Sequence, residues 1–198
     1  MPTTGHPAVL VVSPLTRNTL GMHMKPLVLS VLALALTVTT AAAQNPVSDS
    51  LRSSWNDIKR NIKESAELMP EANYSFKPTP EVRSFGEILA HVAGASYLFC
   101  ASAKNEKAPF GEDSFEKTAK TKAEIVKATN DAITYCDGAF AALTDASATA
   151  LVPAAFGSKQ VTRVSSLIDQ IGHDNEHYGN LVTYFRLKGL VPPSSRKP

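Results

Sequence analysis

Two short signals constrain this chain more than anything else in it. Ser84 with Glu87, and Thr121 with Glu124, form S/T-x-x-E capping boxes. In such a box the hydroxyl and the carboxylate each satisfy a backbone N–H that a helix start leaves unpaired. Apolar residues follow each box at helical spacing (Phe85, Ile88, Leu89, Val92 and Phe99 after the first), so helices are expected over 84–104 and 121–143. Leu51, Trp55, Ile58 and Ile62 recur one turn apart behind Ser48 and Asp49, predicting a helix over 48–69 that Pro70 stops, with Trp55 as its core anchor. A fourth helix is expected over 162–188, with Gly189 as its C′ residue and Pro192-Pro193 preventing continuation.

No segment alternates apolar and polar residues as a half-buried strand does. The fold class that follows is all-α, a four-helix bundle. Its connections would span 70–83, 105–120 and 144–161, each longer than the usual 2 to 8 residues. They can cross the bundle, so simple up-and-down order does not follow. The first connection, with Tyr74, Phe76, Pro78 and Pro80, reads as a packed extended segment, and Gly172 and Gly179 on one flank of the last helix read as a site of close helix approach.

The first 43 residues read as an address rather than as fold. Lys25 precedes an apolar run from Leu27 to Val38 and the small-residue stretch Ala41-Ala42-Ala43. That is the layout of a secretory signal peptide over 24–43, cleaved after Ala43. An apolar run of about 12 residues is too short for a hydrocarbon core that needs roughly 20. Residues 1–23 read as an upstream extension, because Met24 begins a complete signal by itself, and 44–198 as one domain. The expected location is secreted or periplasmic, with no membrane association after signal removal.

Without the leader the chain loses Arg17 and Lys25 from its 20 Lys+Arg, leaving 18 against 18 Asp+Glu. Such a balance offers no basic surface to a polyanion, so nucleic acid is excluded as a partner. The P-loop, G-x-G-x-x-G and G-x-S-x-G contexts are absent too, leaving nucleotide-fold and serine-hydrolase readings nothing to rest on. Export places Cys100 and Cys136 where disulfides persist, and two is the even count a bridge needs. The alternative is two small buried hydrophobes. Each cysteine lies about 15 residues into its helix, so a bridge requires those two helices to run parallel.

The chemistry concentrates in the histidines. Of five, His6 and His23 precede the domain, leaving His91 on the second helix and His173 and His177 on the fourth. Residues four apart on a helix point the same way, so His173 and His177 can share one ion. A third imidazole from another helix completes a three-ligand set with an open position. An H-x-x-x-H pair also occurs on ordinary solvated faces. On a helical wheel Ser166, Asp169, Gln170, His173, His177, Asn180 and Tyr184 form one polar stripe, roughly opposite Val164, Leu167, Ile168, Ile171, Tyr178, Leu181, Val182 and Phe185. The stripe is therefore solvent surface or the wall of a polar cleft. The large Tyr184, and the absence of Lys or Arg along the stripe until Lys188, favour the cleft.

The segment from Ile171 through His173, His177 and Tyr184 to Pro193 resembles the C-terminal helix of the DinB family of metalloenzymes, and Phe76-Lys77-Pro78 through Ser84-Phe85-Gly86-Glu87-Ile88-Leu89-Ala90-His91-Val92 resembles that family's second-helix motif. The likeness spans 48–193. It implies a four-helix bundle with crossed-over connectivity, in which His91, His173 and His177 hold a divalent ion with water completing the shell. Nickel or zinc is implied foremost, manganese or iron next. It also implies a small-molecule substrate or ligand, and a hydrolytic or transfer reaction; some members are thiol-dependent transferases or isomerases. A non-catalytic metal- or ligand-binding bundle is the alternative, and a homodimer is left open. Glu87 and Asp169 each precede a histidine by four residues, a spacing that suits a carboxylate orienting an imidazole or acting as base; capping and a wet face are their simpler roles. Tyr184 is the candidate donor to a substrate, or a packing residue.

Overall fold

The computed structural model describes residues 44–196; the expected signal peptide and upstream extension fall on 1–43, outside the described residues. Four long helices form, α1 (Pro46–Leu68), α2 (Phe85–Lys104), α4 (Lys122–Ala142) and α5 (Arg163–Leu187). A short helix α3 (Ser114–Thr118) interrupts the second connection, and a two-stranded antiparallel ribbon, β1 (Leu151–Pro153) with β2 (Gln160–Thr162), occupies the third. Among the described residues no helix is long and apolar enough to cross a membrane.

Both capping boxes close as the sequence predicts. The Ser84 hydroxyl accepts the Glu87 N–H at 3.2 Å while the Glu87 carboxylate accepts the Ser84 N–H at 2.7 Å, and Thr121 and Glu124 do the same at 3.3 and 2.9 Å. Gly189 ends α5 with a φ of +68°, letting the Leu190 N–H turn back onto the Phe185 carbonyl at 2.9 Å. A positive φ is nearly free for glycine and costly for other residues. The ribbon and α3 were not expected. Three-residue strands offer too few positions for alternation to show, and five helical residues too few for a helical period.

Side-chain contacts define how the helices run. Trp55 of α1 stacks on Phe140 of α4 at 4.7 Å and donates its indole N–H to Asp137 at 2.7 Å. Ser48 meets Asp145 at one end of that pair and Lys122 reaches the Met69 carbonyl at the other, so α1 and α4 are antiparallel. Along α2 and α4 the matched positions rise together, Gly86 with Ile125, Ser96 with Cys136, and Cys100 with Cys136. These two are parallel, as a Cys100–Cys136 bridge requires, and the cysteines are bonded with a Cα separation of 5.3 Å. Phe85 with Phe185, and Ser102 with Ser166, make α2 and α5 antiparallel. The ring order is thus α1, α4, α2, α5, with α1 diagonal to α2 and α4 diagonal to α5, while α2 and α4 are parallel neighbours. Only connections that cross the bundle can produce this order.

One local expectation is corrected. A Cβ on Gly172 or Gly179 would meet nothing within 4 Å, so neither marks a close helix approach. The tight position is Gly94, where a Cβ would fall 2.0 Å from the Glu112 carbonyl oxygen, because the second connection crosses α2 there. Of the two readings of the α5 polar stripe, the favoured one, a cleft wall, holds for most of it. Ser166, Gln170, His177 and Tyr184 are buried against neighbouring elements, while Ile168 from the apolar arc is 53% exposed.

Candidate metal centre

His91, one turn before Gly94 on α2, faces His173 and His177 across the α2–α5 seam. One ligand-capable atom from each of the three lies within 4.8 Å of the others, and His91 Nε2 is 3.2 Å from His173 Nε2. Metal–nitrogen bonds of about 2.0–2.1 Å in a tetrahedral set place donor atoms roughly 3.4 Å apart, so the cluster needs little movement to close on an ion. His91 and His177 are buried and His173 is half-buried.

Electrostatics keep two of the rings in the ligating state. Burial first, then the neighbouring histidines and Arg83, holds the His177 pKa down to about 3. Burial also lowers that of His91, helped by Arg83 and His173 and partly opposed by Glu116 and Glu112. A neutral imidazole has a bare nitrogen to offer and a protonated one has none. The fit to a cation has a second sign: the Nδ1 atoms of His173 and His177 are buried without a hydrogen-bond partner. Asp174, buried beside them, is 3.6 Å from His173 Nδ1, too far for a hydrogen bond, and burial raises its pKa. Three imidazoles, two of them with an unmatched buried nitrogen, and a buried carboxylate are a donor set suited to a divalent ion.

The other residues singled out by sequence are engaged elsewhere. Glu87 is committed to its cap and to Lys77 at 2.9 Å, and the Ser84 N–H followed by Lys77 lowers its pKa. Asp169 is exposed on α5 and lies outside the histidine cluster. Tyr184 donates its hydroxyl to the Arg83 carbonyl at 2.5 Å. It lines a cavity of about 410 Å³ with Val82, Arg83, Ile88, His177 and Asn180. The carboxylates that do reach the cluster come from the second connection. Glu116 Oε1 is 3.2 Å from His91 Nδ1, and Glu112 Oε1 is 3.7 Å from His91 Nε2. Neither sits at helical spacing from a histidine, and no local pattern in the sequence marks them.

Behind the rings the seam stays polar. Gln170 donates to Ser96 Oγ and to Asp174 Oδ2, both at 2.9 Å. Ser102 donates to the Pro153 carbonyl at 2.6 Å, so its contact with Ser166, also 2.6 Å, takes the proton from Ser166. The ribbon contributes Phe156, which packs on Phe99, which in turn packs on the His173 ring at 5.5 Å between centroids.

The sequence profile that defines the DinB superfamily matches residues 56–181. The chain belongs to this superfamily. No curated protein matches it. Among solved structures, a DinB-like protein from Bacillus cereus is similar over 73% of this chain and 95% of its own, with a TM-score of 0.62 at 18% identity. YfiT from Bacillus subtilis is similar over 76% of this chain and 92% of its own, with a TM-score of 0.56 at 14% identity; it is described as a probable metal-dependent hydrolase with an unusual four-helix bundle topology. A mycothiol-dependent maleylpyruvate isomerase is similar over 68% of this chain and 60% of its own, with a TM-score of 0.54 at 12% identity. At these identities the likeness fixes the DinB fold alone.

Proposed function

We propose that this DinB protein is an exported metal-dependent enzyme that uses His91, His173 and His177 to hold one divalent ion, zinc or nickel foremost, for a hydrolytic or transfer reaction on a small molecule. The observation that carries the reading is the three-imidazole cluster, with His177 also lining the 410 Å³ cavity. An ion held there would supply Lewis acidity to a water or substrate oxygen.

The chain's own residues do the rest. The α2–α5 seam excludes water behind the rings, with Phe99 covering His173 and the buried Gln170–Asp174 pair beneath. Arg83 and Asn180 give the cavity its polar contacts, and Val82, Ile88 and the Tyr184 ring its apolar wall. Glu112, half-exposed and 3.7 Å from His91 Nε2, is the carboxylate placed to take a proton at its Oε1 from an incoming nucleophile. Glu87, held ionised in its cap, and exposed Asp169 are less suited to that role.

The test is untagged protein reconstituted separately with zinc, nickel, manganese and iron, followed by elemental analysis and a panel of small esters, amides and thiol-transfer substrates. One equivalent of metal, lost in His91→Ala, His173→Ala and His177→Ala variants that stay helical, is expected. Stoichiometric metal with no turnover on any substrate would favour the binding-protein reading. No metal in the wild type would remove the site. N-terminal sequencing of exported protein is expected to start at Gln44, and an intact 25–43 segment there would overturn export by a cleaved signal.

A further inference from the structure

Glu116 stands apart from the other acidic residues near the cluster because both of its oxygens are assigned. Oε1 is 3.2 Å from His91 Nδ1, and Oε2 accepts the Arg83 Nε–H at 3.0 Å; the side chain is 20% exposed. Its backbone is held as well. Its carbonyl accepts from Lys120 Nζ, and the preceding residue, Phe115, packs on Tyr97 and Phe110. The Gly111–Glu112 backbone just before it lies against α2 at Gly94, where no side chain would fit.

A neutral imidazole carries one N–H, and a ligand must present its other nitrogen bare. An ionised carboxylate only accepts, so a carboxylate fixed at Nδ1 draws the proton there and leaves Nε2 free. His91 Nε2 is the atom that faces His173 Nε2 at 3.2 Å. The Arg83 guanidinium, donating its Nε–H to Oε2, holds the Glu116 carboxylate aimed at His91.

We propose that Glu116, clamped by Arg83, is the positioning residue that fixes the tautomer and orientation of His91, presenting Nε2 to the ion. This rests on the metal reading above. It also makes a prediction opposite in sign to simple electrostatics. Arg83 is a cation beside the histidines, so by charge alone its removal would tighten cation binding. As the clamp on Glu116, its removal weakens it.

The experiment measures zinc affinity by chelator competition in wild type, Glu116→Ala, Glu116→Gln, Arg83→Ala and the Arg83→Ala/Glu116→Ala double variant, with the His91 tautomer read by nitrogen-15 NMR on metal-free protein. Glu116→Ala is expected to lose about tenfold to a hundredfold in affinity, the usual cost of removing a carboxylate behind a metal-bound histidine. Glu116→Gln, whose amide oxygen still accepts from Nδ1–H, is expected to recover most of that loss. Arg83→Ala should weaken binding less than Glu116→Ala, and the double variant should be no weaker than Glu116→Ala alone. Metal-free wild type should show His91 protonated on Nδ1, and Glu116→Ala should not. Unchanged affinity and tautomer in a helical Glu116→Ala would overturn the proposal, as would tighter binding in Arg83→Ala. Failure of the wild type to take up zinc would overturn the metal reading itself, whereas uptake with an unaffected Glu116→Ala would overturn only the role of Glu116.

Discussion

The α1–α4 seam and the α2–α5 seam are both helix pairs of one small bundle with apolar cores, yet they differ in how much polarity they bury. The first buries Trp55, Ile58, Ile62, Phe140 and Leu143, and keeps Lys59, Asp137 and Asp145 at its rim. The second, beside Phe85, Leu167 and Phe185, also buries His91, Ser96, Ser102, Ser166, Gln170, Asp174 and His177. A buried polar group costs roughly 1–3 kcal/mol when left unmatched, and Gln170 Oε1, Asp174 Oδ1 and two imidazole nitrogens are unmatched. The dry seam therefore carries stability that the wet seam spends on a site. The Cys100–Cys136 bond ties them, because α2 belongs to one and α4 to the other.

That division is broken most directly at Trp55. Trp55→Ala removes a ring stacked at 4.7 Å on Phe140 and is expected to cost about 3–5 kcal/mol in denaturant unfolding, while zinc stoichiometry in the folded fraction is unchanged. A small loss of stability, or a loss of metal without loss of stability, would show that the seams do not divide the work. Next comes the tie between them. Cys100→Ala with Cys136→Ala opens a loop of sequence separation 36 and is expected to cost roughly 3–4 kcal/mol in the chain-entropy picture, read as a fall in midpoint against the oxidised wild type.

How much of this was legible beforehand follows the same line. Helix existence, both caps, the Gly189 stop and Trp55 as anchor are local, written in periods and short spacings, and they appear within two residues of expectation. The parallel α2–α4 pair was legible through the cysteines, since only that arrangement brings them level. The three histidines were legible because two share a helix face and the family likeness supplies the third. Glu116, Glu112 and Gly94 were not legible, because what joins them is the path of a connection with no periodicity. The i−4 carboxylates pointed elsewhere for a local reason. Glu87 is already taken by the Ser84 cap, and Asp169 is exposed on α5, outside the histidine cluster. The wheel sorted Leu167, Tyr178, Leu181 and Phe185 correctly into the core and mis-sorted Ile168, because it assumes a single buried arc and α5 buries much of its polar stripe as well.

Gly94→Ala probes that illegible connection. The new methyl would overlap the Glu112 carbonyl, a backbone atom that moves only with its whole segment. Overpacking of this kind is expected to cost about 1–3 kcal/mol. Because Glu112 and Glu116 ride on the displaced segment, zinc affinity should fall as well, unlike in Trp55→Ala. A variant that loses stability but binds zinc as the wild type does would place the second connection outside the site.

The smallest effect is the acid limb of metal-free protein, and its sign identifies which seam causes it. His177 is held neutral in the fold, with a pKa of about 3, against an ordinary histidine value of about 6.5 in the unfolded chain. Above pH 6.5 neither state binds the proton, so this ring contributes no pH dependence. Below it the unfolded chain takes up a proton that the fold refuses, and stability falls with falling pH until the folded ring itself titrates near pH 3. By pH 5.5 one such ring should remove about 1 kcal/mol relative to pH 7.5. His91, whose pKa is also lowered by burial, adds to the same limb. His177→Ala should flatten it, whereas Trp55→Ala should shift the whole curve down without changing its slope. An acid limb equally steep in His177→Ala would mean that the pH dependence originates outside the histidine seam.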